Sequence, residues 1–218
     1  MDQVDIMSAG FGDPENWKEC RSYFICGGPY GSVAGTARLK PDPAQAKALL
    51  AEAGYKGEKL VFIATKEIAW MGQMAEVVAD ELRRTGVNVD VIWSDWGATS
   101  SRSNNRSAPD KGGWNLFVTG ASGPFAHSPL TNVGTNMACN GRNFPGWPCD
   151  EEAERLRQAF LDADGAGRTA ALDALHTHLA QVQPYVVMGQ YDQPAAIRTG
   201  IRGFLESPVI VFWNLEKG

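Results

Sequence analysis

Three histidines, four cysteines and scattered carboxylates limit the chemistry open to this 218-residue chain. His176 and His178 stand two apart in a stretch of helical periodicity. Their side chains therefore point about 200° apart and cannot share a metal ion, so both read as solvated or half-buried helix histidines. His127 lies in a loop with Ser122, Phe125 and Ser128, where a nucleophile–base pair is conceivable. That loop has no nucleophile elbow and no acidic residue to orient the imidazole. Glu151 and Glu152 are neighbours at a helix start, suited to the helix dipole rather than to one acid–base site. Gly112–Gly113 and the Gly120–Gly123 run do not lead into a helix, so neither is a phosphate loop. No catalytic residue, metal site or cofactor is assigned. A small α/β hydrolase using His127 is kept as the alternative to a non-enzymatic protein.

Cys20 and Cys26 are close in sequence, as are Cys139 and Cys149, each pair in a Gly/Pro-rich loop. Two local disulfides fit an oxidising compartment. The rivals are a four-cysteine zinc site, although neither pair has the short spacing of zinc knuckles, and unpaired structural thiols. A net charge of −5 and a pI near 5.2 argue against nucleic acid as a partner. No apolar run approaches the roughly 20 residues that span a bilayer, and Met1 is not followed by a basic, then apolar, leader.

The elements that would position any site centre on residues 40–95. Asp42 caps a helix with Pro43 at its first position, Gln45 stands where a capping box places it, and Gly54 ends it. Ala46, Leu49, Leu50 and Ala53 form its apolar stripe. Leu60–Thr65 reads as a strand covered on both faces. A helix over about Ala69–Thr85 follows, with Met74, Val77, Val78 and Leu82 inward, and Gly86 stops it. Val87, Val89, Val91 and Trp93 alternate as a second strand. Strand, helix, strand at this spacing is a right-handed βαβ unit with parallel strands.

Before it, residues 1–39 have weak periodicity and many turn formers, and read as a long packed connection. After it comes a polar loop to Lys111 containing Arg102 and Arg106, then a strand over Trp114–Thr119 and a long loop to Asn143. A helix over Glu151–Asp164 is capped by Asp150 and buries Leu156 and Phe160. Another, Arg168–Gln183, turns Leu172, Leu175, Leu179 and Val182 inward. Tyr185–Gln190, Ala195–Arg198 and Val209–Leu215 read as extended. Ligands in open α/β sheets bind beyond the carboxyl ends of the strands, here the loops starting at Thr65, Trp93 and Thr119. Aromatics gather there: Trp70, Trp93, Trp96, Trp114, Phe125 and Trp147. Trp93 and Trp114 read as core, Trp96 and Phe125 as pocket walls.

The string "KPDPAQAKALLAEAGY", the helix closing on "ELRRTGVNVDV", and "DWG" with Arg102 resemble the extracytoplasmic solute-binding proteins of peptide-type (dipeptide, oligopeptide or nickel) ABC importers. "WNLFVTGASGPFAHSP" falls at that family's cleft segment and "CNGRNFPGWPCDEEAERLRQAF" at its cysteine loop and helix. The final helix and strands correspond to "AALDALHTHLAQVQPYVVMGQYDQPAAIRTGIRGF". The resemblance implies an α/β fold with a mixed, largely parallel sheet flanked by helices, the C-terminal lobe of a two-lobed binding protein. Residues 1–39 would lead in from a missing first lobe, 40–203 form the ligand-binding lobe, and 204–218 return towards the missing lobe. It further implies capture of a small solute (peptide-like, sugar or other polar compound) between lobes, delivery to ABC permease subunits in the membrane, and a periplasmic or extracytoplasmic location. A signal peptide is then expected in the full-length precursor.

By the same resemblance, Thr65, Lys66, Trp96, Ala121, Ser122, Pro124, Phe125 and His127 are the expected ligand-binding residues. Dipeptide-binding members use an aspartate for the ligand's ammonium and an arginine for its carboxylate. Pro124 falls at the aspartate, Ala121 at the preceding tryptophan and Thr65 at the arginine, which leaves Lys66 as the nearby cation. A zwitterion clamp is therefore not expected.

Overall fold

The computed structural model describes residues 1–205, 207, 209 and 211–218, so part of the expected 204–218 segment (206, 208 and 210) lies outside it. A helix stands where turn formers pointed to a plain connection: α1, Gln3–Phe11, is capped by Asp2, whose carboxylate accepts from the amides of Val4 and Asp5. It buries Ile6 and Met7. Gly10 allows the close approach of the helix beneath, since a Cβ there would lie 2.8 Å from Met74 Cγ. The two-residue strand β1, Trp17–Lys18, follows.

Helix α2, Pro43–Glu52, has the expected cap, Asp42 accepting from the Gln45 amide at 2.8 Å. Its apolar stripe is not buried, and Leu49 remains 56% exposed. Strand β2, Lys59–Thr65, helix α3, Ala69–Arg84, and strand β3, Asn88–Ser94, form the expected parallel βαβ unit. Helix α4, Trp96–Ser103, replaces the start of the expected polar loop. Strand β4 is only Leu116–Phe117 and pairs in parallel with β2, giving the order β3-β2-β4. Asn115 lengthens that short ladder with its side chain: Val61 N donates to Asn115 Oδ1 and Asn115 N to Val61 O, both 2.8 Å.

Beyond a long loop, α5, Glu151–Asp162, and α6, Gly165–Val182, pack against each other. Leu172, Leu175 and Leu179 are buried as expected, whereas Val182 at the helix end is exposed. The late strands fall at or beyond the edges of the segments expected to be extended: β5, Gln190–Tyr191, antiparallel to β1, shares only Gln190 with them, and β6, Ile201–Arg202, antiparallel to β7, Glu216–Lys217, lies outside them. No regular strand forms over Ala195–Arg198. Disulfides join Cys20 to Cys26 and Cys139 to Cys149, and no cysteine is free among the described residues.

Two hydrophobic clusters share the interior. One lies between the sheet, α1 and α3; the other joins Tyr23 and Phe24 to Met137, Phe160 and the inner face of α6. Buried polar side chains connect them. Gln3 donates to the carbonyls of Cys20 and Val187 and accepts from the Cys20 amide, at 2.7, 2.7 and 2.8 Å. His176, expected to be at most half-buried, is fully enclosed. Its Nε2 accepts from the Tyr23 amide at 2.9 Å, which fixes the proton on Nδ1, facing the Ala34 carbonyl at 3.3 Å. Ser22 Oγ takes the amides of Phe24 and Ser32, leaving its own hydrogen for Nε2 at 2.9 Å. Burial pushes the imidazole below its ordinary pKa, with the Ala34 carbonyl and Asp173 opposing.

Candidate functional site

The carboxyl ends of β2, β3 and β4 bring residues 65–70, 94–99 and 118–128 to one rim of the sheet. Two carboxylates stand there, Glu67 and Asp95, and both are engaged by the first turn of α4. Asp95 accepts from the Ala98 amide at 2.8 Å and Glu67 from the Trp96 amide at 2.7 Å. A helix start carries unpaired amides and a partial positive charge, so the two acids complete the helix. Thr99 ties the same turn to the strands, its hydroxyl meeting Ser94 Oγ at 2.7 Å and the Ala64 carbonyl at 3.3 Å.

Of the expected ligand residues, Thr65 is buried, and its hydroxyl accepts from the Glu67 amide and shapes the loop. Lys66 turns to the outer side of β3, with Nζ 2.8 Å from Glu76 and 4.5 Å above the Trp93 ring. Trp93, expected in the core, is 37% exposed because β3 is an edge strand with no neighbour on that side among the described residues. Trp96 opens α4 with its indole half-buried against the sheet cluster. Ala121, Ser122 and Pro124 are exposed in a turn closed by the Phe125 and Ala126 amides on the Ser122 carbonyl.

Phe125 lies edge-on to Phe144, which stacks on Phe117, so the Cys139–Cys149 loop leans on the end of β4. Trp114 is half-buried rather than sealed in a strand, its indole N–H donating to the Ser103 carbonyl at 3.0 Å. His127 meets Tyr30 edge-on, with centroids 5.4 Å apart. The neighbouring Ser128 is buried with Oγ shared between Thr131 and the Leu130 amide, and no hydrogen bond joins a serine to His127 among the described residues. The hydrolase alternative has no geometric support. The sites of His176 and His178 are structural too, His178 Nε2 lying 2.8 Å from the α5 cap Asp150.

Three rings that local sequence does not connect meet beside Gly120. Phe11 stacks on Tyr191 at 4.2 Å, and Trp70 lies 5.5 Å from each. They come from the end of α1, the start of α3 and β5. Trp70 had a signal as a strand-end aromatic; Phe11 and Tyr191 had none, because only the tertiary fold brings them to the rim.

Comparison with known proteins gives a consistent picture. The family model for bacterial extracellular solute-binding proteins, family 5 Middle, matches residues 18–143, more than half of the chain. A probable peptide ABC transporter periplasmic-binding protein of Sinorhizobium fredii is 33% identical across the whole chain, which spans 41% of that relative. Among solved structures, the binding protein AgaA of A. tumefaciens R10 in complex with agropinic acid superposes with a TM-score of 0.78 at 21% identity, over all of this chain and 45% of that one. A dipeptide-binding protein from Pseudoalteromonas in complex with Met-Leu gives 0.70 at 20% identity, over all of this chain and 43% of that one. Both share the fold.

Proposed function

This chain belongs to the bacterial extracellular solute-binding proteins of family 5, and on that premise we propose that it forms one lobe of a two-lobed receptor that captures a small solute and presents it to an ABC permease. The observation that carries this reading is the rim itself: three parallel strands end together beneath loops that hold aromatic rings and small exposed residues. A second lobe closing on that rim would bury a solute between the two. The arm based on β6 and β7 exposes Phe212 and Trp213 to about three-quarters of their area, which supports a return of the chain to the other lobe. Two disulfides fit a periplasmic or extracytoplasmic location.

The solute is not a free dipeptide held by its two charges. Pro124 offers no charge, Glu67 and Asp95 are occupied by α4, and Lys66 is paired with Glu76. An ammonium buried without an anionic partner costs about 3–5 kcal/mol, a few hundred- to several thousand-fold in affinity. Calorimetry on the full-length protein tests this with a dipeptide and its N-acetylated form. The expected result is no tight binding of either; tight binding of the first, lost on acetylation, overturns the assignment.

A further inference from the structure

The Phe11–Trp70–Tyr191 group has features that a simple core edge lacks. Its rings are only partly buried, and two of them, Trp70 and Tyr191, flank Gly120, which is exposed. A Cβ at Gly120 would lie 2.8 Å from Trp70 Cη2 and 3.4 Å from Tyr191 Oη, so the glycine is what allows the rings to lie against the end of β4. Tyr and Trp normally use their polar tips when buried. Here neither the Trp70 indole N–H nor the Tyr191 hydroxyl has a hydrogen-bond partner among the described residues, and neither is sealed from solvent. Burial pushes the Tyr191 hydroxyl above its ordinary pKa, so it remains a donor at neutral pH. Ala121 and Ser122 continue the surface with small, uncharged, exposed side chains.

Resting on the solute-capture reading above, we infer that Phe11, Trp70 and Tyr191 form the specificity-determining platform of this lobe, taking a solute with a six-membered ring that carries an oxygen acceptor at its edge. The ring, arene or pyranose, packs against the partly exposed surface of the cluster. Its oxygen accepts from Tyr191 Oη or Trp70 Nε1, two neutral donors that suit an uncharged acceptor or a carboxylate. An aromatic surface of this kind discriminates by shape first, because an acyclic chain must give up rotational freedom to cover the same area.

The test is a thermal-shift and calorimetric screen of full-length protein. Its arms are arene carboxylates, N-acyl aromatic amino-acid amides and pyranosides, each with an acyclic counterpart (alkanoates, N-acyl alanine amide, alditols). Wild type is run beside Trp70→Ala, Trp70→Phe and Tyr191→Phe. The expected result is that ring-bearing compounds bind and their acyclic counterparts do not. Trp70→Ala should then weaken binding about tenfold or more, and Tyr191→Phe about three- to tenfold. Trp70→Phe, which keeps a ring and the packing, should fall between wild type and Trp70→Ala. The arene and pyranoside arms identify which ring is taken. Binding of acyclic solutes, or ring binding indifferent to both Trp70→Ala and Tyr191→Phe, overturns the platform while leaving solute capture intact. No stabilising compound in any arm counts against solute capture and removes the platform with it.

Discussion

Mildly acid pH should loosen this lobe through one residue, His176. Its Nε2 is the acceptor for both the Tyr23 amide and the Ser22 hydroxyl, so a second ring proton would point at two donors inside the fold. The folded pKa is held below the ordinary histidine value of 6.5, chiefly by burial, so between the folded and unfolded values the unfolded chain binds the extra proton. Stability is then complete above about pH 7 and falls as pH drops from 6.5 towards the folded pKa, by up to about 1.4 kcal/mol per pH unit. His176→Phe removes the titration but orphans the Tyr23 amide, the Ser22 hydroxyl and the Ala34 carbonyl. At about 1–3 kcal/mol for a buried unsatisfied group, with partial relaxation, a cost of about 2–4 kcal/mol near pH 7.5 is expected. The gap between wild type and variant should narrow as pH falls. Glu81, whose pKa burial raises, has the opposite sign: its contribution is lost as pH rises above 4.5. It is common to both proteins, so the difference between them isolates His176. Denaturant midpoints of full-length wild type and His176→Phe from pH 5 to 8 provide the assay. A gap that stays constant with pH refutes the assigned tautomer and the depressed pKa together.

Replacing Cys139 and Cys149 by serine should cost about 2–3 kcal/mol and free Phe144 from Phe117 and Phe125. Limited proteolysis should then cut within residues 139–149 of the variant first. Gln3→Leu should destabilise by about 2–4 kcal/mol, because it leaves the Cys20 amide and the Cys20 and Val187 carbonyls unpaired; urea midpoints measure it. Thr99→Val should cost about 1–2 kcal/mol by cutting α4 from the Ala64 carbonyl and Ser94, read as a lower melting temperature. The chain alone, with Phe212 and Trp213 uncovered, should self-associate, visible as a concentration-dependent mass in light scattering.

What the sequence by itself determined was local in origin. The β2–α3–β3 unit follows from apolar period and helix stops, and Asp42 and Asp150 mark their helix starts because a cap acts within three residues. The cysteine pairs close short loops, so proximity in the chain already favoured them. The exposure of Trp93 was not legible, because an alternating strand looks the same whether or not a neighbour covers its edge; that depends on the order β3-β2-β4. Helix α4 was hidden by its Ser-rich composition, and one of its two acidic partners, Glu67, arrives from a different loop. Helix α1 has a proper Asp2 cap, but what holds it is packing on α3, some seventy residues away. The same holds for the rim. Lys66 and Trp96 are candidate ligand neighbours by their position after strands, whereas the exposed pairing of the lysine with Glu76 and Trp93 is visible only in the fold. Phe11, Trp70 and Tyr191 come together only because α1 crosses α3 while β5 pairs with β1, a juxtaposition of three distant segments that no local pattern encodes.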